Sequence, residues 1–357
     1  MRNHSARVVL GACLFAASVA AQAPATSFRT ASGNEGRIAP DDFGLRPIGE
    51  RLQNPQDPVD YSLVGQFRTA HGEFMDRRER YVPDIDLRTR ILPNQRINGE
   101  PGSFDMIGYD LDARARAVIA TEAYLTVGAY YLGRRYNTSN GFGTAGNGAG
   151  NGIGDETLVG AGLHLGFGVF LDDNWLLELE TSPGAWSDLD DGLHREDFDF
   201  PSQGLLTIRA LDNFFFKIGA RYNQVYEDAP WLPVLGFGWE VVDGFRLDIL
   251  APERLELSFW PSNGFGILFG AGVTGAEYHV HTAESIGQRA NLRVQEVVSY
   301  LGFVSQLNDH ASFGGRLGIV VAGDYDLTSG RTTPAFNRAE GALDQGFFAE
   351  FSFGISF

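Results

Sequence analysis

GFFAEFSFGISF, residues 346–357, is the stretch from which the fold is read. Phe347, Ala349, Phe351, Phe353, Ile355 and Phe357 take every second position, with Phe348, Glu350, Ser352, Gly354 and Ser356 between them. Successive side chains of a β-strand point to opposite faces. The spacing therefore predicts a strand with one apolar and one mixed face that runs to the final residue. Lipid cannot satisfy open backbone groups, so a membrane-spanning sheet must close its last strand against its first.

The same period runs back through the chain. In TLVGAGLHLGFGVFL (157–171), Val159, Ala161, Leu163, Leu165, Phe167, Val169 and Leu171 share one face, while Gly160, Gly162, His164, Gly166 and Gly168 share the other. This run is longer than a tilted strand needs to cross a bilayer. Ile85, Leu87 and Ile91 stand opposite Asp86, Arg88 and Arg90, and Leu111, Ala113, Ala115 and Ala117 stand opposite Asp112, Arg114 and Arg116. Phe214, Phe216, Ile218, Ala220 and Tyr222 oppose Phe215, Lys217, Gly219 and Arg221. Phe313, Leu317, Ile319, Val321 and Tyr325 oppose Ser312, Gly314, Arg316 and Gly318.

Short turns at 172–174, 212–213, 243–244 and 308–309 alternate with polar loops near 133–155, 183–202, 223–230, 279–291 and 328–345. All five tryptophans (175, 186, 231, 239, 260) fall at or beyond strand ends, where an aromatic girdle would sit. These features predict an all-β chain: a transmembrane antiparallel up-and-down barrel. About fifteen segments can be counted, and barrels of this kind have even numbers, so the expectation is about 14 strands within a range of 12–16. The doubtful places are residues 59–92 and the pair VDGFRLDIL (242–250) and RLELSFW (254–260).

Residues 1–23 read as a Sec-type signal peptide: Arg2, His4 and Arg7 precede an apolar run too short to span a bilayer, and small residues follow. Residues 24–58, rich in Pro, Gly, Ser and Asn, read as a flexible periplasmic leader, and 59–357 as the barrel. The only cysteine, Cys13, lies in the signal, so a processed chain would have neither a disulfide nor a thiolate metal site. A net charge of −17 argues against nucleic acid as a partner.

On the face opposite the apolar one stand eight acids (Asp86, Asp112, Glu178, Glu180, Glu240, Asp248, Glu256, Glu350). Nine bases share that face (Arg88, Arg90, Arg114, Arg116, Arg209, Lys217, Arg221, Arg246, Arg316). A lumen so lined is nearly neutral. Arg88, Arg90, Arg114 and Arg116 come early, while Glu178, Glu180, Asp248 and Glu256 come later. Sequential strand order would set the two groups on opposed walls. They suit a narrow polar pore, or a closed interior if the side chains meet.

Other constellations are weaker. Glu277, His279 and His281 alternate on one strand face, and His-x-His can chelate zinc or nickel, but no third strong ligand is evident. Asp188, Asp190, Asp191, Glu196, Asp197 and Asp199 make an acidic loop that a cation could bridge, though Gly192 is misplaced for an EF-hand. Residues 140–155 are glycine-rich but lack the lysine and helix of a phosphate loop. Near Ser139, Asn137 stands where outer-membrane phospholipases place a catalytic histidine. No enzyme, cofactor or firm metal site is expected.

The stretch PVLGFGWEVVDGFRLDILAPERLELSFWPSNGFGILFGAGVTGAEYHV (233–280) resembles an uncharacterised family of bacterial outer-membrane barrel proteins. That family has a strand of the RLDLLFP type before a Pro-containing turn, here Arg246–Pro252, with Ala251 in place of the usual aromatic. Membership would imply a barrel in the outer membrane and no catalytic residues. The terminal Phe353, Ile355 and Phe357 resemble the signal read by the barrel-assembly machinery. The functional expectation is a narrow, weakly selective channel. The alternatives are a structural or surface-interaction barrel with a closed lumen and, behind it, an outer-membrane enzyme. Lipid and the assembly machinery are the expected partners. The solute and the oligomeric state are not legible.

Overall fold

The structure, a computed structural model, describes residues 83–98, 102–120, 123–139, 154–172, 174–190, 192–211, 213–223, 230–242, 244–262, 264–281, 289–308, 311–329 and 339–356. The signal, the leader and residues 59–82, assigned above to the barrel, lie outside the described residues. The strands in chain order are β1 (Pro83–Arg96), β2 (Ser103–Ala120), β3 (Ala123–Thr138), β4 (Glu156–Asp172), β5 (Trp175–Thr181) and β6 (Gly184–Ser187). Then come β7 (Phe198–Asp199), β8 (Ser202–Leu211), β9 (Phe214–Tyr222), β10 (Trp231–Val242), β11 (Phe245–Ala251) and β12 (Arg254–Ser262). The last are β13 (Phe265–His281), β14 (Arg289–Asn308), β15 (Ala311–Ser329), β16 (Ala339–Leu343) and β17 (Gly346–Ser356).

The sheet closes. Residues 349–356 of β17 pair antiparallel with residues 84–91 of β1, from Ile91↔Ala349 to Asp84↔Ser356. The staves are β1–β5, β8–β15 and β17, a closed antiparallel barrel of 14 strands. VDGFRLDIL and RLELSFW both contribute staves, since β11 pairs with β12 from Phe245↔Phe259 to Leu250↔Arg254.

Alternation places the side chains as the sequence suggests. On β4, Leu163, Leu165 and Phe167 are exposed on the outside of the cylinder, and His164 between them is buried within it. Leu87, Leu111, Phe216, Phe351 and Phe353 lie on the same outer belt. Two expectations fail. A bulge opposite Val297/Val298 inserts one extra residue into β15, so beyond Val321 its faces swap. Val321 stays outside, whereas Tyr325 turns inward and is buried. The girdle is also smaller than expected: Trp175, Trp231 and Trp239 are exposed, but Trp186 and Trp260 are buried, each over a glycine of the neighbouring strand.

The cylinder has two storeys. Strands β2, β4, β13, β14 and β15 are 17–20 residues long, whereas β8–β12 are 7–12. Above the low wall, toward the long loops, β6 continues the stave of β5 against β4 and then meets β13 in a parallel bridge, Ser187 opposite His279. The Asp188 N–H donates to the His279 carbonyl at 3.2 Å. Likewise β16 continues the stave of β17, pairing with upper β15 and reaching Ile97 beyond β1. The seam between β6 and β13 leaves out five staves, so the upper storey is a smaller cylinder. Around eight strands leave only enough interior for side chains to fill. Here Leu92, Phe104, Met106, Tyr136, Leu158 and Trp186 from one side pack with Tyr278, Val280, Leu292, Val294, Tyr325 and Leu327 from the other. The upper storey is a packed apolar core.

Candidate functional site

Most of the charged side chains line the lower storey, toward the short turns. The predicted lumen charges alternate with the outer belt but do not form two opposed walls: each partner described below lies on the same strand or within three strands along the wall. Arg114 Nε donates to Asp112 Oδ1 at 2.8 Å, and its Nη1 reaches Glu180 Oε1 at 3.2 Å. Gln203 Nε2 donates to Glu180 Oε2 at 2.9 Å, Arg221 donates to the Gln203 side-chain oxygen Oε1, and Arg221 pairs with Glu253. Asp248 accepts from Arg246 and Arg254, both at 2.9 Å. Tyr300 donates to Glu256 at 2.7 Å, and Arg316 donates to Glu350 at 3.1 Å. Arg88 pairs with Asp86 at 2.6 Å, and Tyr124 donates to Glu178 at 2.5 Å. Sequential strand order puts near neighbours side by side, and a long Arg side chain reaches along the wall, as Arg114 on β2 does to Glu180 three strands away on β5.

Glycine on this face has a specific use. Tyr124 lies across Gly168, Phe215 across Gly238, Tyr300 across Gly270 and Phe348 across Gly318, each directly opposite on the next strand. A methyl group at any of these glycines would overlap the ring. A cation also lies over each ring: Arg116 over Tyr124 (4.9 Å), Lys217 over Phe215 (4.9 Å), Arg316 over Tyr300 (4.7 Å) and Arg90 over Phe348 (4.6 Å). Glycine, flat ring and cation recur as a stack that holds the cations against the wall.

His164, Asp112 and Ser182 form the one relay of nucleophile, imidazole and carboxylate that stands out among the described residues. Ser182 Oγ lies 2.9 Å from His164 Nδ1, and His164 Nε2 lies 3.1 Å from Asp112 Oδ2. Arg114 holds the same carboxylate, and the Ser182 N–H is spent on the Pro201 carbonyl at 2.7 Å. The group ties β2, β4 and the β5–β6 break together beneath the Tyr130 ring.

The weaker candidates do not converge. His279 lies on the outer face, between Tyr278 and Val280, which point inward; Glu277 accepts from Asn291 at 3.2 Å. The His281 side chain is outside the described residues. Glu156, Asp188 and Asp190 bring ligand oxygens within 4.8 Å of one another, without a histidine among them. Phe353 is exposed on the outer belt, Ile355 follows on the same face, and Phe357 lies outside the described residues. Sequence reading missed Arg254 and three charges nearer the long loops. Arg134 pairs with Asp110, and Glu296 with Arg90. Strand parity alone would have found them.

A family model described as Domain of unknown function (DUF6268) matches residues 151–357. The chain belongs to this family. The match takes in the β4–β17 part of the DUF6268 barrel, including the resemblance noted around residues 233–280. No curated protein matches. Among solved structures, the DUF6268 chain is similar to the COG4313 outer membrane channel from Pseudomonas putida F1, with 12% identity, 77% of this chain and 94% of that chain covered, and a TM-score of 0.41. It is also similar to the P. putida toluene transporter TodX (8% identity, 78% and 89% covered, TM-score 0.34). A third is the translocator domain of autotransporter NalP from Neisseria meningitidis (10% identity, 82% and 99% covered, TM-score 0.34). None of them lends the DUF6268 chain an activity.

Proposed function

We propose that the chain is an outer-membrane β-barrel whose lower storey serves as a narrow, weakly selective channel for small hydrophilic solutes, with no catalysis assigned to it. One observation carries this reading: Arg114 and Asp112 point into a closed cylinder, yet 42% and 28% of their side chains remain exposed. Inside a barrel such exposure means room for water. The outer belt of Leu, Ile and Phe supports a bilayer around the strands. Pairing of acid with base along the wall supports weak selectivity, since a nearly neutral lining sets up little net field for either sign of ion.

Planar-bilayer conductance of the refolded protein tests the reading. Conductance is expected, with an ion selectivity that shifts when Arg114 and Arg116 are both replaced by Ala. The packed upper storey favours a second reading, a structural barrel with no through path. Silence in bilayers, together with a destabilised double variant, would support that reading instead. The C-terminal strand supports the assembly machinery as a partner. Phe357→Asp is expected to lower the yield of heat-modifiable, membrane-integrated protein, and an unchanged yield would remove that assignment.

A further inference from the structure

We infer that only the lower storey sits in the bilayer: lipid head groups ring the barrel at the shoulder where β8–β12 end, and the upper storey stands beyond them as a packed head on the side of the long loops. The inference rests on the outer-membrane reading above and not on whether the lower chamber conducts. Strand length supports it. A tilted strand needs about 9–11 residues to cross a bilayer. The low-wall strands β8, β9, β10 and β12, of 10, 9, 12 and 9 residues, meet that need with little to spare, and β11, of 7, falls short of it. Strands β13, β14 and β15, of 17, 20 and 19 residues, overshoot it.

The outer face changes character at the same height. On β13, Phe265, Ile267, Phe269 and Val273 face outward along the lower part, and Glu277 and His279 along the upper part. The change falls just past Val273, whose N–H donates to the carbonyl of Glu253 in the β11–β12 turn at 2.8 Å. The apolar row ends where the low wall ends. Three more long strands change in the same way. Val297 gives way to Gln295 and Arg293 on β14, Val321 to Asp324 on β15, and Tyr131 to Arg135 on β3. These polar residues face outward because Leu292, Val294, Tyr325 and Tyr136, next to them in the chain, are buried in the core. Charges turned toward hydrocarbon destabilise a barrel, and near the interface they cost little.

At the shoulder the outer face carries exposed rings. Phe198 lies opposite Ala185, and Ala185 opposite Ala161 of the β4 outer row, so Phe198 and Phe200 belong to the outer face, and both are exposed. Tyr222 and Trp231, partners at the heads of β9 and β10, continue the row with ring centroids 5.1 Å apart. Tyr and Trp rings collect where head groups meet acyl chains. This patch is continuous with the apolar belt beneath it, so its occupant is lipid.

Single-cysteine variants of the full chain, in a Cys13→Ser background, test the placement in phosphatidylcholine nanodiscs. Val127→Cys and Arg135→Cys on β3 and Phe200→Cys at the shoulder each carry a fluorophore, and lipid spin-labelled at mid-chain or on the head group is the quencher. Mid-chain lipid should quench Val127→Cys at least about two-fold more than Arg135→Cys, because the hydrocarbon core is only about 30 Å thick and Arg135 lies past its edge. Head-group lipid should act most strongly on Phe200→Cys, and aqueous iodide on Arg135→Cys. Equal mid-chain quenching at Val127→Cys and Arg135→Cys would put both storeys in the bilayer and overturn the inference. So would head-group quenching that is strongest at Arg135→Cys. Absence of any lipid quenching at Val127→Cys would instead defeat the bilayer reading of the outer belt.

Discussion

Arg90 and Glu296 meet at 2.6 Å in the upper storey, with 11% and 6% of their side chains exposed. Arg114 and Asp112 meet at 2.8 Å in the lower storey, with 42% and 28% exposed. Bond for bond the pairs are alike; their surroundings are not. The upper pair is enclosed by the apolar core and Phe348, so neither ion has water to fall back on. The lower pair is only partly enclosed, and the channel reading proposed above puts water beside it that can solvate whichever ion is left alone. The difference teaches that strand number, by setting how much interior remains, decides what a salt bridge is worth in this molecule.

The sharpest way to break that comparison is Glu296→Ala. It leaves the Arg90 guanidinium enclosed without its carboxylate and is expected to cost about 3–5 kcal/mol. Urea unfolding of the refolded protein in lipid measures it, and a loss under about 1 kcal/mol, the range of exposed pairs, would mean the upper storey is wetter than its packing indicates. Replacing both Arg90 and Glu296 by apolar residues of similar volume should recover most of the loss.

The outer belt offers a second contrast, between adjacent residues of β4. Leu165→Arg puts a charge against lipid near mid-bilayer and should cost about 2–4 kcal/mol. The charge in His164→Arg would face Asp112 and Glu180 in the lumen, and the variant should be milder by the same unfolding measurement. If Leu165→Arg refolds as stably as wild type while His164→Arg does not, the two faces have been exchanged. The smallest effect is expected in the lower storey itself. Arg114→Ala should change stability by no more than about 1 kcal/mol, as for exposed ion pairs, while altering ion selectivity. A cost as large as that of Glu296→Ala would show the lower chamber to be closed.

Much of this was legible in the residues. Period two on β4, β9 and β17 assigned faces correctly because alternation is a local property of the extended backbone. Inward placement of Arg88, Arg90, Arg114, Arg116, Glu178, Glu180, Arg221, Asp248 and Glu256 followed from the same parity. Tyr325 was misplaced because a single bulged residue in β15 reverses every later side chain, and nothing in the residues around Val321 announces it. Trp186 and Trp260 were misplaced because a strand-end position does not reveal a glycine opposite, waiting to take the ring.

The sequence by itself determined a closed barrel with a greasy outside and a charged inside, because those depend only on alternation and on satisfying the backbone in lipid. The tertiary structure alone decided that the upper half is a smaller, packed cylinder and that charges pair along the wall. Both depend on which staves meet across the seam between Ser187 and His279, some ninety residues apart, and no local pattern records a contact of that range.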